Sequence, residues 1–175
     1  MVSPDCYVVF GVGNELRDLY KVWEEGWQTP AVVIEITSKS TQKEDMNKKF
    51  RRYEQDLHVP EYFLFDPTGD YLNPILQGFR LQNGQYVRIP FQNDRLYSEQ
   101  LKLELVIQGN TMRFYNPETE AWLPSPEEVQ EQAETERQNA DIARQNAERE
   151  RQARMEAEAE IAKLRAELEA LRKQS

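Results

Sequence analysis

The chain has 175 residues, enough for about one domain, and a net charge of −9 from 22 basic and 31 acidic residues. That balance excludes a protein that coats nucleic acid generally, because such binding runs on phosphate neutralisation by Lys and Arg; any DNA contact must come from a local patch. A single cysteine, Cys6, excludes an internal disulfide and suits a reducing cytoplasm, and no apolar run approaches the ~20 residues of a membrane-spanning helix.

Residues 1–125 hold 13 basic and 18 acidic side chains, mixed with Trp, Tyr, Phe and Pro; the remainder holds 9 and 13 and is almost entirely Glu, Ala, Arg and Gln. Two regimes follow, a globular part over 1–124 and a long charged helix over 125–175. In chain order, "CYVVF" (6–10) is β-branched and aromatic and predicts a strand. Residues 11–29, with Gly11, Gly13, Asn14 and Gly26, form a connection, and "AVVIEI" (31–36) predicts a second strand covered on both faces. "SKSTQKEDMNKKFRRYEQDLHVP" predicts a helix. Ser40 or Thr41 can cap it, Glu44 stands at about the capping-box offset, and Met46, Phe50, Tyr53 and Leu57 form one apolar stripe. Pro60 ends it. "EYFLFD" (61–66) predicts a third strand and "DPTGD" a turn. Asn83–Gly84 between alternating runs is a strong hairpin signal, and "LKLELVI" turns through "QGN" into "TMRFY".

From residue 137 the sequence repeats every seven residues. The fourth and seventh places are Ala140, Ala143, Ala147, Glu150, Arg154, Ala157, Ile161, Leu164, Leu168 and Leu171. Only the last two heptads carry a full apolar seam, so pairing is expected to be firm only near the C-terminal end.

Chemistry centres on Glu35. A carboxylate inside an apolar run costs several kcal/mol unless it is paired, solvated or metal-bound. If the first two strands pair antiparallel, Asp5 comes beside Glu35, and two carboxylates with a backbone carbonyl such as that of Ile36 make an oxygen-rich pocket suited to Mg²⁺. Asp45, Lys49 and Tyr53 follow at i, i+4 and i+8 on the helix, and Lys49 can reach toward the pair. The plain alternative is a strand-end Glu paired with a nearby Lys. "KKFRRY", preceded by Lys39 and Lys43, is the best basic patch, and a solvated helix face explains it equally well. His58 and Cys6 are the only residues of their kinds; a nucleophilic pair is set aside because Cys6 falls in a strand that reads as buried. "GVGNEL" lacks the third glycine of a dinucleotide fingerprint. Trp23, Trp27 and Trp122 read as loop anchors over the core rather than base-stacking platforms.

"SPDCYVVF", "AVVIEITSKST", the Asp-x3-Lys-x3-Tyr spacing of 45–53 and "VPEYFLFDPTGDY" together resemble a bacterial endonuclease family abundant in cyanobacteria, within the PD-(D/E)xK restriction-endonuclease-like superfamily. The runs at 20–30 and 71–87 and the C-terminal helix share the resemblance. It implies an α+β, restriction-endonuclease-like mixed sheet flanked by helix, with added antiparallel hairpins and the long helix. It also implies Mg²⁺-dependent (or Mn²⁺-dependent) hydrolysis of DNA phosphodiesters. Asp5 and Glu35 would be metal ligands with the Ile36 carbonyl, Lys49 would complete the catalytic set, and Ser38, Asp45 and Tyr53 would support it. Two departures stand out. Thr37 occupies the place where the superfamily often has Lys, the Lys having moved to the helix as Lys49. Relatives also carry a segment before the "PD" strand, so the domain is expected to be N-terminally incomplete, with one side of the Asp5 strand exposed. The implied partners are DNA and a further copy of the chain, through the nuclease-like domain or the C-terminal helix. The competing expectation is a non-catalytic nuclease-like protein that assembles through that helix.

Overall fold

The structure is a computed structural model that describes residues 3–13 and 19–172. The N-terminal Met1 and Val2, part of the glycine-bearing connection from Asn14 on, and the side chain of Leu171 in the heptad seam lie outside the described residues. The chain divides into two compact units, 1–123 and 124–175.

The first unit is built on a five-stranded mixed sheet of order β1-β2-β3-β4-β5. Its strands are β1 (Cys6–Val8), β2 (Val32–Ile36), β3 (Glu61–Phe65), β4 (Leu76–Gln82) and β5 (Gln85–Arg88). β1 runs antiparallel to β2, β2 parallel to β3, and the remaining pairs are antiparallel. The parallel step needs a crossover. Helix α1 (residues 42–56) supplies it, and most of it is π-helical, over Glu44–Lys49 and Arg52–Asp56. The Leu57 N–H to Arg52 carbonyl bond, 3.0 Å, shows the widened i→i−5 closure. A second, antiparallel sheet holds β6 (Arg95–Ser98), β7 (Leu103–Gln108), β8 (Thr111–Asn116) and β9 (Ala121–Trp122).

The period-two alternation of strands divides the core into two layers. Val32 and Ile34 point to the same face as Phe63 and Phe65 and pack with Leu96 and Leu105 of the second sheet. Gly78 permits that approach, since a Cβ there would lie 2.8 Å from the Phe63 ring. Val33 points to the other face, where Tyr62 and Leu64 pack with Tyr53 of α1. Glu35 and Thr37 share the parity of Val33, so the sequence register alone aims both toward the α1 face. The Asn83–Gly84 hairpin forms as expected, with both residues at positive φ (52° and 81°), as a two-residue primed turn requires.

Several expectations are corrected. The first strand is shorter than 6–10, and Cys6 is exposed because β1 is an edge strand. Trp23, Trp27 and Trp122 are 53%, 73% and 40% exposed, so none is a buried anchor; Trp122 lies on β9 and packs edge-on against Tyr115. Met46 is 44% exposed while its neighbour Asp45 is fully buried. Apolar spacing drawn for an ordinary α-helix misjudges which row faces the sheet once the helix widens. Neither Ser40 nor Thr41 caps α1 as a capping box; Ser38 makes the entry, its carbonyl accepting from Thr41 and Gln42 N–H at 3.2 and 3.0 Å.

The second unit is α2 (Pro126–Arg172), a single unbroken helix ~70 Å long at 1.5 Å per residue. Ser125 and Glu128 form a reciprocal capping box at its start, Ser125 N–H donating to Glu128 and Glu128 N–H to Ser125 Oγ. No described helix is long and apolar enough to cross a membrane.

Candidate active site

Residues 5, 35 and 49 meet at the C-terminal end of β2. The β1–β2 register, Cys6 opposite Ile34, carries Asp5 to the end of its neighbour. There the two strand ends exchange contacts. Ile36 N–H donates to Asp5 Oδ2 at 2.8 Å, and Asp5 N–H reaches Glu35 Oε2 at 3.3 Å. Glu35 is fully buried. Lys49 Nζ donates to its Oε2 at 2.9 Å and the Tyr53 hydroxyl to its Oε1 at 3.0 Å. Lys49 is shared, lying also 3.0 Å from Asp45 Oδ1. Asp45 in turn holds the helix to the sheet through its carbonyl, which accepts from Tyr62 OH at 2.9 Å.

Burial pushes the Glu35 carboxyl above its usual range, against the opposing pull of Lys49 and Tyr53. Burial acts to lower Lys49, but its bonds and charge contacts with Glu35 and Asp45 outweigh it, and the ammonium is held protonated. Burial, with the charge of Glu35, raises Tyr53 far above the usual phenol, so its hydroxyl stays a donor. Two buried carboxylates, Glu35 and Asp45, thus share one ammonium, and the carboxylate of Asp5 stands at the same strand end, so the cluster carries more acidic than basic side chains.

Two buried groups are left short of partners. Asp45 Oδ2 and Thr37 Oγ1 have no hydrogen-bond partner among the described residues, which ordinarily carries a cost of about 1–3 kcal/mol each. In the sequence Thr37 marks only the place from which a Lys is missing. The overlooked signal was its parity with Val33 and Glu35, which turns it inward. Ser38 is exposed and organises the loop into α1, its amide donating to Thr41 Oγ1 at 3.0 Å and its hydroxyl lying 3.1 Å from the same atom. The basic patch is partly self-neutralised: Lys48 pairs with Glu44 and Arg52 with Asp56, both at 3.2 Å.

The donor set suits a hard divalent cation. Asp5 and Glu35 supply adjoining carboxylates, the Ile36 peptide lies at the same strand end, and the local charge is negative. Among the described residues no three His, Cys, Asp or Glu side chains group closely enough to hold a metal. Mg²⁺ commonly takes only one or two carboxylates and completes its shell with water.

The family model described as "Putative restriction endonuclease" (Uma2) matches residues 1–113, well over half the chain. The chain belongs to this family. The mixed sheet with its crossover helix agrees with the restriction-endonuclease-like fold, and the matched span contains the whole Asp5–Glu35–Lys49 cluster of this Uma2 domain. The family is nuclease-like, of a kind that usually employs divalent metals and acts on DNA. No curated protein matches the chain.

Proposed function

We propose that this Uma2 protein is a metal-dependent DNA endonuclease that hydrolyses phosphodiester bonds at the C-terminal end of β2. The observation that carries the reading is the meeting of residues far apart in sequence at the buried Glu35 carboxylate, which accepts from Lys49 Nζ at 2.9 Å and from the Asp5 N–H at 3.3 Å while the Asp5 carboxylate accepts from Ile36 N–H beside it. Asp5, Glu35 and the Ile36 carbonyl would hold Mg²⁺, or Mn²⁺ in its place. When bound, the ion lowers the pKa of coordinated water and stabilises charge on the phosphate. Lys49, kept cationic between Glu35 and Asp45, orients the attacking water and neutralises developing phosphate charge. Tyr53 fixes the Glu35 rotamer by donating to Oε1. Asp45 positions Lys49, and Ser38 shapes the loop through which the chain leaves the site for α1.

A second reading has one observation in its favour: Glu35 already has Lys49 and Tyr53 as donors, and no three metal-binding side chains are grouped. On that reading the cluster is a structural ion pair in a non-catalytic nuclease-like domain. Incubation of plasmid and single-stranded DNA with Mg²⁺ or Mn²⁺ separates the two. The enzyme reading expects metal-dependent cutting by wild type that falls by at least ~100-fold in Glu35→Gln and in Lys49→Met, as loss of a catalytic charge does. Equal activity in wild type and both variants, or none in any of them with either metal, sinks it.

A further inference from the structure

We propose that α2 pairs with the α2 of a second copy of this chain as a parallel, in-register, two-stranded coiled coil. The described part of the helix exposes Ile161, Leu164 and Leu168 by 50%, 54% and 53%. They sit at a, d and a of consecutive heptads, and the sequence continues with Leu171 at d. Ile at a with Leu at d favours two parallel strands. Toward the N-terminal side the seam holds Ala157, then Arg154 and Glu150, then Ala147, Ala143 and Ala140, and the alanines leave room for close helix approach without adding much attraction.

Charge decides the occupant and its direction. With Ile161 at a, Glu160 falls at g and Arg165 at e. In a parallel pair each g residue faces the e′ residue five positions on, so Glu160 meets Arg165 of the second copy, twice by symmetry. An antiparallel pair sets g against g′ and e against e′, and the sequence would then bring Glu160 toward another Glu, Glu167, and Arg165 toward another Arg. Opposite charges at e and g select partner and orientation in this way. Glu150 at d and Arg154 at a place opposite signs on neighbouring seam layers. In register each of these faces its own copy, with the opposite charge one layer away, so these two layers add no attraction and pairing rests on the apolar layers at 161, 164 and 168, which overlap fully only when the strands are in register. The seam is self-complementary, as a two-fold homodimer requires.

Sedimentation of the full chain over a concentration series tests this, with circular dichroism to confirm that each variant keeps its helix. The expected species has twice the chain mass of 20.7 kDa. Leu164→Glu/Leu168→Glu is expected to leave a helical monomer. Glu160→Arg turns two attractions into two repulsions and is expected to weaken the dimer about tenfold, while adding Arg165→Glu restores it to within about twofold. Leu164→Cys in a Cys6→Ser background is expected to oxidise to a covalent dimer, since equivalent d positions face each other only when the strands are parallel and in register. A monomer at every concentration, a larger assembly, a dimer indifferent to Leu164→Glu/Leu168→Glu, or a dimer that Leu164→Cys fails to cross-link would each overturn the proposal.

Discussion

Two fully buried glutamates lie on the paired strands β2 and β3, at opposite ends and on opposite faces. Glu35 is the penultimate residue of β2 and points to α1; Glu61 begins β3 and points to the second sheet. Glu61 is saturated. Arg80 donates to its Oε1 from Nε at 3.0 Å and from Nη2 at 2.9 Å, Glu99 N–H adds 2.9 Å, and Oε2 takes Ser98 Oγ and Gln100 N–H. Glu35 has one shared ammonium, one phenol and a long 3.3 Å amide contact, with a second buried carboxylate beside it. The same residue type at the same burial therefore stands in two electrostatic conditions. One is neutralised and hydrogen-bonded on all sides, which is what a structural carboxylate needs. The other keeps a surplus of negative charge next to the surface carboxylate of Asp5, which is what a cation-binding carboxylate needs.

The widest separation between them should appear in stability. Glu61→Ala leaves Arg80 without its buried partner, strips Ser98 and two backbone amides of their acceptor, and opens the junction between the sheets. The expected loss is about 3–5 kcal/mol in urea unfolding. Against a total of about 5–15 kcal/mol for an ordinary domain, that is a large fraction of what the first unit has.

A third carboxylate, Asp66, sharpens the contrast through pH. It caps the loop after β3, accepting from Thr68 N–H and Oγ1, Gly69 N–H, Tyr71 N–H and Leu72 N–H at 2.6–3.0 Å. Burial alone would raise its pKa, but these donors outweigh it and hold the carboxyl at about 2. Its folded value lies below the unfolded value of about 3.9. The stabilisation is therefore present above about pH 4 and is lost as pH falls through about 2, amounting to about 2 kcal/mol. Asp66→Asn is expected to be less stable by about 2–3 kcal/mol at pH 7 and to show a flatter stability curve between pH 4 and 2. An unchanged acid limb would show that Asp66 is not the group responsible.

These cases show what the sequence made legible. The apolar run around Glu35 marked it as anomalous, and antiparallel pairing of "CYVVF" with "AVVIEI" was enough to bring Asp5 alongside, because register in a paired strand is fixed once one face is buried. Lys49 was reachable by helical spacing, since i, i+4 and i+8 stay roughly aligned in a widened helix. In the local pattern Glu61 and Asp66 are only strand and turn residues. Of the Glu61 partners, Arg80 follows from the β3–β4 register, where it lies opposite Glu61, whereas Ser98 comes from the second sheet, whose packing no local pattern encodes; the Asp66 donors Thr68 to Leu72 all lie within six residues of it in the same loop. The apolar stripe holds at Phe50, Tyr53 and Leu57, which pack on the sheet, and fails only at Met46, where α1 widens, while the buried reading of Cys6 fails because β1 is an edge strand.

The smallest expected effect lies at Glu35 itself and divides stability from chemistry. Glu35→Gln keeps the shape, still accepts from Tyr53 through its remaining carbonyl, and removes one of the two carboxylates competing for Lys49. Lys49 retains Asp45 at 3.0 Å, so no buried charge is left alone. Burying a neutral amide instead of a carboxylate also relieves the desolvation that raises the Glu35 carboxyl. The two contributions oppose each other, and the net change in unfolding free energy is expected to stay within about 1 kcal/mol, against a loss of about 2–4 kcal/mol for the same substitution at Glu61, where Arg80 keeps only the half-exposed Glu99 at 2.7 Å and Ser98 and two backbone amides lose a charged acceptor. Parallel urea titrations of Glu35→Gln and Glu61→Gln measure the difference directly. Equal large losses would make Glu35 as structural as Glu61 and remove the electrostatic reason for placing chemistry at the end of β2. A stable Glu35→Gln protein leaves the carboxylate there without a structural purpose, and its charge is then explained by what it binds.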